Sequence, residues 1–420
     1  MDDDKDKFIT EKIIKKDKDK YIGPVKLLLS AMVFGVVAMA TALFAKSGLE
    51  KVIVKSTTGK ETISIEKDVT VSQSNSAAKE TEDTEALRNI AESIIDEHSY
   101  DREDVKALYK VLANLSNDLD NCVATIHSIK NEKDWFDNLI ESGDYYSGVA
   151  IAETENEVLV LCPIQAIDAA DIINVSFKNN YRKQATVKSA DGHIGIAILS
   201  VDTSDADSGI KEGIEVIDLG NSYLVSRGDI ALAIGSPIGF NYSTDYGQVS
   251  YISKDVSIVD STAMFMYTSL ALDNSKGSFL VNTSGELIVI ATNSYLSDTN
   301  ASMAIGISDL KTRLEYMING MPAAYIGIKP LDINTQVKEN GVPDGVYVME
   351  VVADSPAYIS GIQGGDIISE IDGVKVLSTA TYKETVDKLS VGKDISIKLY
   401  RDNGKNEYSQ LDINLTVAGR

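Results

Sequence analysis

The chain has 420 residues, 44% of them hydrophobic, which is enough apolar material for two or three folded domains. Its formal net charge of −23 argues against a nucleic-acid partner, because phosphate binding needs basic patches. Two cysteines, Cys122 and Cys162, are too few for a disulfide framework or a multi-cysteine metal site, although they leave one bridge open.

The first 45 residues predict a charged tail followed by a membrane span. Residues 1–26 carry eight lysines and seven acidic residues, a composition typical of a disordered cytoplasmic tail. Residues 27–45 carry no charge, and a helix of this length at about 1.5 Å per residue nearly spans a hydrocarbon core of about 30 Å. More lysines precede this run than follow it, which predicts a cytoplasmic N-terminus and an external bulk. A cleaved signal peptide is the alternative, because Ala40-Thr41-Ala42 resembles a cleavage site.

Residues 46–115 are predicted to form a stalk with amphipathic helices. The first part, residues 46–78, is rich in Lys, Thr and Ser. Leu87, Ile90 and Ile94 then recur at helical spacing, and a second amphipathic segment runs from about Val105 to about Leu115. Two roles are open for these helices, oligomerisation or packing on the next domain, and packing is the more common one.

Residues 116–318 change to short β-like runs separated by turn residues, which predicts an all-β barrel or sandwich. The runs include residues 122–126, 147–151, 158–162, 172–177, 194–201, 230–234, 247–252, 279–281 and 287–291.

Several segments of this region resemble, in the same order, those of the HtrA-type serine proteases. The matching segments are Ser147-Gly148-Val149-Ala150-Ile151, Leu219-Gly220-Asn221-Ser222, Gly228-Asp229-Ile230-Ala231-Leu232-Ala233-Ile234-Gly235-Ser236-Pro237, Gly247-Gln248-Val249-Ser250 and Ala304-Ile305-Gly306-Ile307. The resemblance implies a trypsin-like double β-barrel over residues 116–318.

The catalytic positions of that family are altered in this chain. Such a protease needs a histidine base, an aspartate that orients it, and a serine beside two backbone N–H donors. Gln165 occupies the histidine position and Gly195 the aspartate position, so neither residue can accept the serine proton. Ser275 keeps the nucleophile position, but Asp273 replaces a glycine of the oxyanion hole. The resemblance therefore implies no catalytic triad, with Ser275 as the residual candidate nucleophile.

Three other routes to hydrolysis are weaker. The histidines, His98, His127 and His193, all lie outside the segment that carries the family's base. A Ser275–Lys276 dyad would require the amine to turn back to the neighbouring hydroxyl and to be buried. Cys162 has no histidine beside it, and a buried strand cysteine is the more common case.

Residues 322–420 form a second unit that resembles a bacterial PDZ domain. Tyr325, Ile326, Gly327 and Ile328 resemble its carboxylate-binding loop. The segments Ser355-Pro356-Ala357, Gly364-Gly365-Asp366 and Ile371-Asp372-Gly373 match further parts of the family pattern. Such a domain binds an extended peptide as an added strand, and the loop N–H groups hold its terminal carboxylate. The alternative is that the groove only packs against the barrel.

Together these features predict a mainly β protein, with a trypsin-like double β-barrel followed by a PDZ domain and preceded by one transmembrane helix and a helical stalk. The predicted function is a membrane-anchored, HtrA-like pseudoprotease that binds unfolded polypeptides and protein C-termini, as a sensor or scaffold of envelope quality control. An active endopeptidase with a non-standard catalytic group is the alternative, and a purely structural spacer is a third hypothesis. The resemblance also implies a homotrimer. We predict no nucleic-acid partner, no metal and no cofactor.

Overall fold

The computed structural model describes residues 62–68, 101–133, 139–270, 272–292, 302–339, 341–404 and 407–420. The predicted tail and membrane span, residues 1–26 and 27–45, lie outside these ranges, as does most of the predicted stalk, residues 46–115. Within the described ranges, no helix combines the length and the apolar character that a membrane crossing requires. The chain divides into two units, Met1–Thr62 and Ile63–Arg420, and the elements below belong to the second.

The first barrel is closed by six antiparallel strands in the order β1-β2-β3-β6-β5-β4. The strands are β1 (Val123–Lys133), β2 (Leu139–Glu153), β3 (Glu157–Pro163), β4 (Ile172–Phe177), β5 (Arg182–Asp191) and β6 (Ile196–Asp202). In β4 every second residue is buried, as expected where one face of a strand points into a barrel. Ile126, Val160 and Leu199 belong to the core of this barrel.

The second barrel has the same strand number and the order β10-β11-β12-β9-β8-β7. Its strands are β7 (Ile230–Gly235), β8 (Asp245–Ile258), β9 (Ser261–Thr268), β10 (Ser278–Val281), β11 (Leu287–Ala291) and β12 (Ser302–Gly306). A shared core joins the two barrels, with Leu159 and Leu161 from the first and Phe265 and Phe279 from the second. The predicted double β-barrel is therefore present.

Helices connect and flank the barrels. Helix α1 (Arg102–Leu119) contains the amphipathic segment predicted near Val105, and Asp101 caps its start with a capping box. A short 3₁₀ turn, Ile164–Ala166, follows β3, and another spans Ser222–Leu224. Helix α2 is Ser208–Glu212, and α3 (Ile307–Ile318) leads from the second barrel to the C-terminal domain.

Residues 63–68, which lie within the range predicted as a stalk, pack against the barrels. Ile63 and Ile65 lie on the shared core, as alternate residues of an extended segment do. The Ile63 N–H donates to the Asn319 side chain at 2.8 Å. Asp68 pairs with the buried Lys311 of α3 at 2.9 Å. The apolar side chains and one carboxylate of these residues therefore have partners on the barrel unit.

The C-terminal domain has a six-stranded sheet in which β14-β15-β16-β18-β19 are adjacent in that order and β17 pairs with β16. Its elements are β13 (Ala324–Tyr325), β14 (Ile328–Asp332), α4 (Thr335–Glu339), β15 (Val346–Val351), α5 (Pro356–Ser360), β16 (Ile367–Ile371), β17 (Val374–Lys375), α6 (Thr379–Asp387), β18 (Asp394–Asp402), β19 (Tyr408–Thr416) and β20 (Ala418–Gly419). Ser378 caps α6, which buries Tyr382 and Val386 in the domain core. The predicted PDZ-like fold is present.

Candidate functional site

The altered loop that precedes β10 is clamped to both barrels. The Asp273 N–H donates to the Pro237 carbonyl at 2.9 Å, and the Gly277 carbonyl accepts the Ser236 N–H at 2.8 Å, both next to the end of β7. From the first barrel, the Ser147 N–H donates to the Lys276 carbonyl at 2.7 Å. These backbone bonds hold the loop where the barrels meet.

The carboxylate of Asp273 accepts hydrogen bonds from the hydroxyl and the N–H of Ser275, two groups that catalysis would need. Its Oδ1 accepts the Ser275 hydroxyl at 2.6 Å, the Ser275 N–H at 2.9 Å and the Lys276 N–H at 3.1 Å. This is the local turn in which an aspartate caps the backbone two and three residues ahead. An oxyanion hole requires free N–H groups directed at the reacting oxygen. Here the Ser275 N–H already faces a negative charge, and the Asp273 N–H is directed at Pro237.

Gln165 and Gly195, which are predicted to occupy the base and aspartate positions, lie close to each other. Gln165 lies in the 3₁₀ turn after β3, and Gly195 lies directly before β6. They are linked because the Ile164 N–H donates to the Gly195 carbonyl at 2.9 Å. Gly195 adopts φ +84°, which suits glycine. The side-chain oxygen of Gln165 is buried and has no hydrogen-bond partner among the described residues. Gln165 cannot move a proton at neutral pH, and Gly195 has no side chain.

The described histidines have partners elsewhere. The His127 ring on β1 stacks on Tyr145 with ring centroids 4.4 Å apart. The His193 ring stacks on Tyr325 of the C-terminal domain at 5.3 Å. His98 lies outside the described residues. In the described part of the chain, neither imidazole hydrogen-bonds to Ser275, whose hydroxyl donates to Asp273.

Lys276 does not serve as a base for its neighbour. Its amine lies 3.0 Å from the Asp144 carboxylate and 4.5 Å from the centroid of the Tyr146 ring. A lysine base must be neutral and must reach the hydroxyl. The amine of Lys276 is paired with an anion instead, so the Ser275–Lys276 dyad is not formed.

Both cysteines are free, buried thiols. Burial raises the pKa of Cys122 to about 12, and nearby Glu215 and Asp218 add to the effect. Burial also raises the pKa of Cys162, whose Sγ donates to the Ala197 carbonyl at 3.6 Å. A nucleophilic cysteine needs its thiolate, so neither thiol is suited to catalysis.

The PDZ-like loop binds a carboxylate, and that carboxylate belongs to this chain. The N–H groups of Ile326, Gly327 and Ile328 donate to the side chain of Asp260, at the turn between β8 and β9, over 2.9–3.1 Å. The fourth predicted residue, Tyr325, makes no such bond and lies between the His193 ring and the Arg420 guanidinium. The predicted occupant of the loop was a peptide C-terminus, and in this structure the occupant is Asp260.

Sequence reasoning missed Asp260 and the ion pair near it. Asp191 is buried, lies 2.8 Å from Arg313 of α3, and accepts the N–H groups of His193 and Ile194. An aspartate in a hairpin turn is common, so Asp260 carries no local signal of its role. The loop that binds Asp260 and the Arg313 that pairs with Asp191 are both far away in sequence, and no spacing rule connects them.

Comparisons with known proteins agree with this architecture. Residues 146–290 match the family described as a trypsin-like peptidase domain, and residues 322–415 match the PDZ domain. The putative serine protease HhoA of Synechocystis is 25% identical over 264 residues, which cover 59% of this chain and 66% of the relative. Periplasmic serine endoprotease DegP of Salmonella typhimurium is 26% identical over 246 residues, covering 56% and 50%. The chain thus spans between half and two thirds of the length of these curated relatives.

A solved structure of the HtrA-type protease AlgW with a decapeptide superimposes with a TM-score of 0.53 at 22% identity, covering 74% of this chain and 98% of that one. A second structure of the same protein, with a tripeptide, gives 0.51 at 22% identity and covers 74% and 97%. At this identity the likeness shows the fold, with its two barrels and C-terminal domain.

Proposed function

We propose that this chain is a proteolytically inactive protein that binds extended polypeptides. The proposal starts from its HtrA/DegP-like order of domains, in which a trypsin-like peptidase domain is followed by a PDZ domain. Its domains would comprise the barrels of residues 116–318 and the PDZ domain of residues 322–420. It would act as a sensor or scaffold for unfolded proteins.

One observation carries the proposed loss of proteolysis: the Asp273 carboxylate accepts both the hydroxyl and the N–H of Ser275. In a serine protease the hydroxyl donates to a histidine, and the N–H stabilises the developing oxyanion. A carboxylate at that point would repel the oxyanion instead. Gln165 and Gly195 supply no base that would compensate.

The proposed peptide binding is supported by the PDZ match and by the chemistry of the loop. The N–H groups of Ile326, Gly327 and Ile328 converge on one carboxylate, as the capture of a polypeptide C-terminus requires. Two HtrA-type structures of similar fold are described with bound peptides. Tyr325, which was predicted to bind peptide, would instead support the loop through its ring contacts with His193 and Arg420.

The proposed location is outside the cytoplasm, on a membrane that the segment of residues 27–45 would span. Several relatives are named as periplasmic endoproteases, which supports this placement. Assembly as a homotrimer remains part of the proposal on family resemblance alone.

The alternative is an active endopeptidase, which the names of the relatives favour. In this chain it would need Asp273, the one side chain that hydrogen-bonds to the Ser275 hydroxyl in the described structure, to act as the base. That carboxylate already accepts two backbone N–H groups at the same oxygen.

A degradation and binding assay separates the two functions. We expect the full chain to leave denatured β-casein intact and to retain it in a pull-down, with Ser275→Ala behaving as the wild type does. Salmonella DegP serves as the positive control for cleavage. If the wild type produced casein fragments and Ser275→Ala did not, the result would favour the endopeptidase. Absence of both cleavage and retention would favour a purely structural role.

A further inference from the structure

We propose that the tip of the β8–β9 hairpin is an internal ligand of the PDZ groove, and that it must leave before a polypeptide C-terminus can bind there. This regulation concerns the same groove as the proposed peptide binding and rests on it. The internal ligand comprises Ile258, Val259 and Asp260.

The side chain of Asp260 reproduces the contacts of a terminal carboxylate. Its Oδ2 accepts the Ile326 N–H at 2.9 Å, and its Oδ1 accepts the Ile328 N–H at 3.0 Å. The Gly327 N–H is shared between the two oxygens, at 2.9 and 3.1 Å. Charge-assisted bonds of this kind are stronger than those between neutral groups. All three N–H donors of the loop are therefore engaged within the chain.

The backbone of the hairpin tip adds to this likeness. The Asp260 N–H donates to the Ile328 carbonyl at 2.7 Å, which is the type of bond an added strand makes with a sheet edge. Both hairpin strands contact β14, and β9 also contacts α6. The tip thus lies against the strand and the helix that form the two walls of a PDZ groove.

Further contacts close the site around Asp260, which is buried. The Tyr382 hydroxyl of α6 donates to its Oδ1 at 3.2 Å. The Arg420 guanidinium lies 3.9 Å from its Oδ2 and donates to the Val259 carbonyl at 3.3 Å. A second carboxylate would find no free N–H donor in this loop, so an incoming C-terminus and the hairpin compete for one site.

The contact between Asp260 and the loop has two free-energy costs, which would be removed if the hairpin left the groove. Asp260 adopts φ +58°, a left-handed conformation that aspartate tolerates at a greater cost than glycine does. Burial raises the pKa of its carboxyl, although the three loop N–H groups and Arg313 oppose the shift. The bonds to the loop must outweigh both costs, and a polypeptide C-terminus can form the same bonds.

The chain offers a matched pair of variants for the test. Asp260→Asn keeps the size of the side chain but turns an amide NH₂ toward the loop donors. Asp255→Asn makes the same change on the same hairpin, at φ +56°, where the side chain is exposed. Asp260→Gly removes the carboxylate and suits the left-handed backbone, so it serves if Asp260→Asn does not fold.

The probe is a fluorescein-labelled hexapeptide, Lys-Asp-Val-Ser-Ile-Val, which copies residues 254–259 and ends in a free carboxylate. Fluorescence anisotropy with the full chain measures its affinity, and a C-terminally amidated copy tests the need for the carboxylate. We expect Asp260→Asn and Asp260→Gly to bind the free acid at least tenfold more tightly than the wild type and Asp255→Asn do. The amidated copy should bind at least tenfold more weakly.

Two different results would overturn the proposal that the hairpin is an internal ligand, and they can be distinguished from each other. Measurable and equal affinities for the wild type and both Asp260 variants would show that the hairpin does not compete, and would leave the proposed peptide binding intact. Absence of binding to every folded variant would remove the internal ligand together with the proposed peptide binding.

Discussion

Replacing Asp191 with alanine is expected to lower the free energy of unfolding by about 3–5 kcal/mol, because it leaves Arg313, a cation with a side chain only 12% exposed, without its partner. The side chain of Asp191 is 4% exposed, and its Oδ2 lies 2.8 Å from Arg313. Its Oδ1 accepts the N–H groups of His193 and Ile194 at 2.9 and 3.2 Å. The variant would leave these two N–H groups without their acceptor as well.

Urea denaturation of the full chain, followed by fluorescence, measures this loss. The control is Asp205→Ala, which removes a carboxylate that pairs with Lys183 on the exposed surface. Solvent screens such pairs, so the control should leave the transition unshifted. Equal transitions for the two variants would show that the Asp191–Arg313 pair does not stabilise the junction between the first barrel and α3.

Replacing Gly277 with alanine is expected to cost about 2–5 kcal/mol, because overlap and backbone strain act together. Gly277 adopts φ +92°, and an added Cβ would overlap the Ser147 carbonyl and approach Pro163 to 3.3 Å. The residue lies where the altered loop meets the first barrel, and its carbonyl accepts the Ser236 N–H. The loop would have to move away from β2, and these bonds would be lost.

Gly228→Ala provides the matched control, since Gly228 has φ +100° but no atom within 4 Å of an added Cβ. This variant should show backbone strain alone, about 1–2 kcal/mol. Differential scanning calorimetry of both variants separates overlap from strain. If Gly277→Ala were as stable as Gly228→Ala, the loop would not be fixed by its contact with the first barrel.

Strands with a simple pattern were predictable from sequence. The run of residues 172–177 alternates in burial and became β4, and the apolar run of residues 287–291 became β11. Strand β5 was missed because it is largely polar and a bulge between Val187 and Ser189 breaks its register. Strand β9 was missed although it is mostly buried and carries a continuous apolar run at residues 263–267; Ala and Met, three of those five residues, favour helices.

The residues of the candidate sites also differ in how far the sequence predicts them. The order of the family segments predicts the roles of Gln165, Gly195 and Ser275, because substitution at a motif position is visible in a sequence. The bonds of Asp273 depend on a side-chain conformation, and those of Asp260 join residues more than sixty positions apart. Contacts of this kind follow from the packing of the C-terminal domain on the second barrel, which no local pattern encodes.

The most direct test of the central claim is intact-mass spectrometry of the full chain after incubation with a fluorophosphonate. This reagent forms a covalent adduct with a serine only when a base and an oxyanion hole activate it. Because the Ser275 hydroxyl donates its hydrogen bond to Asp273, the wild type should remain unmodified, as should Ser275→Ala. One adduct per chain on the wild type that is absent from Ser275→Ala would contradict the loss of proteolytic function.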